Sequence, residues 1–519
     1  MAEKNRKTKL FAAIDVGSYE MTLKIFEISP GAGLKAIDTL KHRLALGSDS
    51  YTSKKISYRK MEELFKTLES FKAVMKEYGV NAYRAYGTSA FREIENADIL
   101  LEQIRSRTGI ELAVLSNSEQ RFLDYKAAAA REKIFDKAIE SGTAFVDVGG
   151  GSIQLSLFDD DTLVQTQSLK LGVLRLHERI SEMRPRSSQT EELLDEMIGS
   201  QMRIYHKLYM KDREIKNLII MDEYVSPRFK KAVENADEDG RASALSFIGF
   251  YERLLNLRDE EAAELLDLPE ENVPLFRIAA GIFYRIINAL GAVAVWAPGA
   301  EICDGIAYEY AQDKKLISLK HDFEEDILDS ARMISRRYQG SLKHGEIVET
   351  AALCIFDALK GAHGMGERER LLLSLSCILH DCGKYINMMN VGECSFAVIE
   401  NTEIIGLSHR ERMMIAYAVK YLHVPFEYYD ELPSVPDMDS RSYLTVAKLT
   451  AILRLANAFG KGKRDKIKKL KASLKEDTLI ISVDARQELL YEKERFEKKT
   501  AFFEEVFGIH PVIKGGKGV

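Results

Sequence analysis

The chain has 519 residues, 46% of them hydrophobic and 30% charged, with a formal net charge of −6. That length exceeds the roughly 250–300 residues at which a single core stops growing, so two to four domains are expected. The acidic balance argues against a general nucleic-acid coat, and five cysteines with no CxxC pair argue against a disulfide framework or zinc knuckle; a reducing, cytoplasmic compartment fits.

The basic stretch Met1–Lys9 runs straight into the apolar Phe11–Asp15, with no signal-peptide core. Phe11–Asp15, the turn Asp15-Val16-Gly17-Ser18 and the apolar Met21–Ile25 read as strand, tight turn, strand. Ser57 then caps a helix whose apolar positions Met61, Leu64, Phe65, Leu68, Phe71 and Met75 share one face. Ala82–Tyr86 reads as a strand, Asn96 caps a helix through Ile104, Ala113–Leu115 is a strand, and a helix follows from Ser118 to Arg131. The pattern restarts at Thr143–Ser152, again strand, glycine turn, strand. Two apolar strands ending in Asp-Val-Gly, about 130 residues apart, predict a duplicated α/β lobe. Ala279–Ala297 is the most membrane-like stretch, but it carries Arg285 and Asn288 and reads as a buried helix followed by a strand.

From about Leu316 helical periodicity dominates to about Lys471, and Leu479–Val483 and a helix through Phe507 form a short tail. The expected domains are residues 1–131 and 132–311 (two lobes), 312–472 (all-helical) and 473–519 (a small α+β tail). The basic run Lys461–Lys471 reads either as a solvated helix face or as one wall of a polyanion groove.

A strand delivering Asp-x-Gly-Ser or Asp-x-Gly-Gly-Gly-Ser suits phosphate. Glycines let backbone N–H groups approach an anion, the hydroxyl adds a donor, and the Asp can hold Mg²⁺. Between the two loops, Tyr86-Gly87-Thr88-Ser89-Ala90-Phe91-Arg92 supplies hydroxyls and a guanidinium fit for bidentate phosphate contact.

The segments FAAIDVGSYEMTLKI, YGTSAFREIENADILLEQIRSRTGIEL, LSNSEQRFLDYKAA, AFVDVGGGSIQLSLF and SLKLGVLRL, in this order and spacing, closely resemble the Ppx/GppA family. The resemblance resumes at HGEIVETAALCIFDAL and LHDCGKYI, which look like an HD-type domain, and in the tail EKERFEKKTAFFEEVFGI. It implies an α/β, actin-like, two-lobed N-terminal half that removes terminal phosphate from polyphosphate or guanosine pentaphosphate with Mg²⁺. It also implies a homodimer. Carried over by position, Asp15, Gly17 and Ser18 form the first phosphate loop; Gly87, Thr88, Ser89 and Arg92 hold the terminal phosphate; Asp147, Gly149, Gly150, Gly151 and Ser152 form the second loop. Asp15 and Asp147 are the expected Mg²⁺ ligands.

The catalytic positions depart from the family. Its general-base glutamate falls on Gln120, with Glu119 one residue before, and a second functional glutamate falls on Gln154. Losing a general base typically costs about 10²–10⁴ in rate, although a glutamine orients the attacking water in some phosphoryl-transfer enzymes. Gln120 as water-orienting residue or Glu119 as relocated base are therefore the expected catalytic groups. The middle strand, Asn217–Asp222, is followed by no glycine loop, which argues against a kinase that binds ATP there. In the helical domain His344, His380 and Asp381 match an HD metal set, but Asn457 stands where its last Asp would be, so a metal-free remnant is expected. The leading expectation is a phosphohydrolase acting on polyphosphate or guanosine pentaphosphate. The alternative is a catalytically impaired member that senses polyphosphate or a guanosine penta/tetraphosphate alarmone; neither reading calls for a membrane or a specific nucleic acid.

Overall fold

The computed structural model describes residues 8–29, 33–184, 187–210, 213–317, 321–429, 438–460 and 466–515. It divides into two compact units, Met1–Phe323 and Glu324–Val519.

The first unit holds two sheets built to one plan. In the first, β1 (Lys9–Val16), β2 (Glu20–Ser29) and β3 (Gly33–Arg43) form an antiparallel meander, and β4 (Ala82–Gly87) and β5 (Leu112–Val114) add in parallel beyond β1, giving the order β3-β2-β1-β4-β5. In the second, β6 (Thr143–Val148), β7 (Ile153–Asp159) and β8 (Thr162–Leu169) repeat the meander, and β9 (Asn217–Asp222) lies parallel to β6. That sheet is completed by β10 (Arg241–Ser243) and β11 (Ala294–Trp296), in the order β10-β11-β9-β6-β7-β8. The repeat is a mixed α/β, actin-like arrangement, and it extends to register. Asp15 sits opposite Thr22 on β2 and Tyr86 on β4; Asp147 sits opposite Gln154 on β7 and Met221 on β9. Both aspartates thus leave the carboxyl end of a central strand, where open α/β sheets place their ligands.

Alternation along β1 explains its burial on both faces. Ala12, Ile14 and Val16 face a core formed with the helices Tyr58–Glu77 and Ala97–Thr108. Phe11 and Ala13 face the helix Ile302–Asp313, whose Cys303, Ile306, Ala307 and Ala311 pack against them. The chain therefore returns from the second sheet to the first before residue 311. The helix Val273–Leu290 is long and apolar enough to cross a membrane by composition, yet most of it is buried inside the unit. Its Arg285 is only 7% exposed and is bound by Asp195 Oδ1 at 2.7 Å and Glu191 Oε2 at 3.0 Å.

The second unit packs the helices Leu342–Ala358, Glu367–Leu379, Val391–Glu400, His409–His423 and Ser440–Gly460. It closes with a sheet, β12 (Ile467–Lys475), β13 (Thr478–Ala485) and β14 (His510–Gly515), in that order, with the helix Leu490–Phe507 between β13 and β14. The basic run expected as a helix face is corrected here. Lys461–Asp465 lie outside the described residues, and Ile467–Lys471 begins an edge strand. Its Lys468, Lys469, Lys471 and Lys475 point to solvent, a pattern that blunts strand edges against pairing with other chains.

Candidate active site

Three turns of backbone converge at the carboxyl ends of β1, β4 and β6. At the first, Gly17 N–H donates to the Glu20 carbonyl at 3.0 Å; a Cβ at Gly17 would lie 2.8 Å from that oxygen, so only glycine allows the turn to close this tightly. At the second glycine loop, the carbonyls of Gly149, Gly150 and Gly151 accept hydrogen bonds from Val173 N, Arg175 N and Arg175 Nε, at 3.0, 3.1 and 3.0 Å. The start of the helix Val173–Met183 thus turns these carbonyls back on itself. The Ser18 hydroxyl packs against Gly150. The Tyr51 hydroxyl donates to Ser89 Oγ at 3.0 Å and also bonds Ser18, while its ring lies under the Arg175 guanidinium at 4.8 Å.

Beneath these loops a cleft of about 70 Å³ is lined by Asp15, Thr88, Gln120, Asp147 and Gly149 of the expected set. It also brings in carboxyl groups that motif reading missed: Asp124, Asp222, Glu223, Glu20 and Glu301. Burial, together with the charges of Glu20 and Glu301, pushes the Asp15 carboxyl up to about 7 against the opposing pull of Lys41 and Arg92. Burial likewise pushes Asp147 up to about 7, with Arg121 opposing and Asp222 reinforcing the rise. Asp124 is raised well above the ordinary range by burial and by the charges of Asp147, Asp15 and Glu223. Glu223 is raised by removal from water and by Glu20 and Asp15. Burial raises Asp222 too, but against this its carboxylate caps the turn after β9, accepting from the N–H groups of Tyr224, Val225 and Ser226 at 3.0, 2.7 and 2.7 Å. Glu20 and Glu301 are each held by Lys41 at 2.8 Å. Asp15 Oδ1 and Asp147 Oδ2 are buried without a hydrogen-bond partner.

Orphaned carboxylate oxygens suit a hard divalent cation, although among the described residues the only three groups with ligand atoms within 4.8 Å of one another are His344, His380 and Asp381. Asp15 and Asp147 therefore fit Mg²⁺, and the fit rests on their unpartnered oxygens.

The remaining expected residues occupy other positions. Glu119 is corrected as a relocated base. Its carboxylate accepts from Ser116 N at 2.9 Å while Ser116 Oγ accepts from Glu119 N at 3.2 Å, a reciprocal cap at the start of the helix Asn117–Ala129. Gln120 lines the cleft, but its Oε1 accepts from both Nη atoms of Arg92 at 3.1 Å and its side chain also bonds Asp124. Arg92 further donates to the Leu115 carbonyl at 2.8 Å. Gln154 does not line the cleft: its Oε1 accepts from Nε of the fully buried Arg121 at 2.8 Å, and Arg121 also bonds the Thr166 hydroxyl. The sequence signal for Asp124 was its i+4 spacing from Gln120 on one helix.

A wider cavity of about 520 Å³ opens beside the cleft and shares Glu20, Lys41 and Glu223 with it. Arg43, Arg228 and Lys231 line it, with Tyr19 and the buried Tyr224, whose hydroxyl has no partner.

In the C-terminal unit His344, His380 and Asp381 bring ligand atoms within 4.8 Å of one another. His380 Nδ1 lies 2.7 Å from the Cys377 carbonyl, which fixes it as donor and leaves Nε2 to accept from His344 Nδ1 at 3.1 Å. Burial pushes the His380 imidazole down to about 4. Burial alone would raise the Asp381 carboxyl, but the nearby His344 imidazole, 4.0 Å away, together with His380 and Lys384 holds it well below its usual range, with Lys384 Nζ at 2.9 Å. His344 Nε2, Asp381 Oδ1 and Asn457 Oδ1 are buried without partners.

Residues 24–312 match the model of the Ppx/GppA phosphatase family, and residues 328–499 match domain III of Ppx/GppA phosphatases. The chain belongs to the Ppx/GppA family. Among curated relatives, proteins named guanosine-5'-triphosphate,3'-diphosphate pyrophosphatase from Photobacterium profundum and Vibrio parahaemolyticus are 22% and 23% identical. The first match covers 88% of this chain and 87% of that protein; the second covers 92% of each. The fold is shared with a solved Ppx/GppA family member from Aquifex aeolicus, at a TM-score of 0.50 and 17% identity over 61% of this chain and all of that one. It is also shared with an exopolyphosphatase-like protein, at 0.51 and 18% over 60% of this chain and all of that one.

Proposed function

We propose that this Ppx/GppA protein is a phosphohydrolase that removes the terminal phosphate of inorganic polyphosphate or guanosine pentaphosphate in the acidic cleft. The observation that supports this most is the pair of orphaned carboxylate oxygens, Asp15 Oδ1 and Asp147 Oδ2, at matching strand ends beneath two glycine loops. Mg²⁺ held there would offset charge on the terminal phosphate, where phosphoryl transfer depends most on positioning and neutralisation. Thr88 lines the cleft where its hydroxyl would orient the phosphate, and the adjoining cavity with Arg43, Arg228 and Lys231 has room and charge for the rest of a polyanion. In the helical unit we read the histidine cluster as a metal-free remnant, because the Lys384 ammonium already neutralises Asp381.

A second reading is a substrate-binding sensor with little turnover. It is favoured by the side chain of Gln120, which is engaged by Arg92 and Asp124 rather than left open to water. Phosphate release from long-chain polyphosphate and from guanosine pentaphosphate, with Mg²⁺ and with EDTA, separates the two. Mg²⁺-dependent release supports the hydrolase. Tight binding without release, restored by Gln120→Glu, supports the sensor. Gln154→Glu is expected to restore nothing, since a carboxylate there would pair with Arg121 outside the cleft.

A further inference from the structure

We infer that Asp124 is the general base of this site, taking over one helical turn later the role that Gln120 cannot perform; the inference rests on the hydrolase reading above. Residues four apart on a helix project from the same face with Cβ atoms about 5–6 Å apart. Gln120 and Asp124 both line the cleft, and Asp124 is 5% exposed. A carboxylate at 124 therefore opens into the same space as a carboxylate at 120 would.

The other acids of the cleft, and Glu119 beside it, are placed differently. Glu119 caps its own helix, Asp222 caps the turn after β9, and Glu20 and Glu301 are paired with Lys41. Asp15 and Asp147 carry the orphaned oxygens suited to a cation. Glu223 sits across the first glycine turn, its Oε1 3.1 Å from where a Gly17 Cβ would be. Asp124 alone is gripped by a relay: Arg92 holds the Gln120 oxygen through two hydrogen bonds, and Gln120 in turn bonds the Asp124 carboxylate. The relay fixes the carboxylate's orientation and leaves the amide as donor, not as base. The helix beneath is set firmly, because Gly305 brings the helix Ile302–Asp313 against the Leu123 carbonyl without room for a methyl group.

In the step, a water oxygen attacks the terminal phosphorus while one of its protons passes to an Asp124 carboxylate oxygen. The bond from that phosphorus to the bridging oxygen breaks, and the bridging oxygen leaves with the electron pair on the shortened substrate. The second water proton remains on the released orthophosphate, and Asp124 later returns its proton to solvent.

The test uses the full chain with guanosine pentaphosphate and long-chain polyphosphate. Asp124→Asn is expected to lower kcat by about 10²–10⁴-fold while KM stays within about threefold. Calorimetric binding of Mg²⁺ alone is expected to weaken far less than kcat falls. The double variant Gln120→Glu, Asp124→Asn, which moves the carboxylate back one turn, is expected to recover at least about tenfold over Asp124→Asn. Asp124→Ser serves as a second probe should the amide disturb folding. The proposal is overturned if Asp124→Asn keeps near-wild-type kcat, if its loss of rate follows a loss of Mg²⁺ affinity, or if the double variant recovers nothing. A wild-type chain that binds both substrates and hydrolyses neither would sink the hydrolase reading as well, whereas active wild type beside active Asp124→Asn sinks only the base.

Discussion

The acidic cleft of the N-terminal unit and the histidine cluster of the C-terminal unit are both buried sets of ionisable groups with orphaned atoms, yet their charge balances differ. In the cleft Asp15, Asp147, Asp124 and Glu223 are each raised by burial and reinforced by one another's charge. In the cluster the His380 imidazole, kept neutral by burial, lies with His344 and Lys384 around a single carboxylate. Buried like charges are tolerated only where something else neutralises them. The first set needs protons or a cation to offset its charge, while in the second the Lys384 ammonium already lies against the Asp381 carboxylate.

The largest expected break in that contrast comes from the strand-end acids. Asp147→Asn is expected to lower phosphate release by about two orders of magnitude or more, while His380→Ala changes it by less than about twofold; steady-state phosphate assays on the pair check this. Comparable losses from both would erase the distinction.

The next effect concerns pH. Asp15 and Asp147 titrate near 7 in the folded chain, against about 3.9 when unfolded. Below about pH 4 both states hold the protons, so these groups favour folding fully; between about 4 and 7 only the unfolded chain releases them, and stability falls. In EDTA, thermal melts of the N-terminal unit should drop across that window, by at most on the order of 4 kcal/mol per group. Mg²⁺ should restore stability at the upper end. A flat profile in EDTA would remove the electrostatic tension from the cleft.

Smaller still is the mechanical link. Gly305→Ala forces a methyl group against the Leu123 carbonyl and is expected to cost about 1–3 kcal/mol of stability. Because that helix carries Gln120 and Asp124, kcat should fall more than KM rises. His344→Ala, in contrast, should shift only the melting of the C-terminal unit, by about 1–2 kcal/mol.

Much of the scaffold was legible beforehand. The Asp-Val-Gly repeat announced two lobes, and the sheets agree down to the register of Asp15 and Asp147. The helical reading overran at the basic run, because lysines on an edge strand alternate with Leu470 and leave no continuous apolar face to mark a strand. The site was less legible because its carboxylates come from separate elements. Glu223 and Glu301 lie far from any glycine motif and meet the cleft only through β9 and the return of the chain to the first sheet. Glu119 looked catalytic from its position, yet the Ser immediately before the helix turns it into a cap, a local choice that the Ser116-x-x-Glu119 spacing already encoded. Gln154 looked like a cleft residue because it follows the glycine loop; the buried Arg121, which no motif flagged, draws it away.

Cys303 lines the floor of the cleft, and burial together with the charges of Asp15, Glu301 and Asp304 pushes its thiol well above the ordinary range. A thiol kept protonated is a poor nucleophile and a poor target for peroxide or alkylating reagents. The same negative field that raises the carboxyls of the cleft thus also disfavours the thiolate of Cys303, and with it reaction at that sulfur.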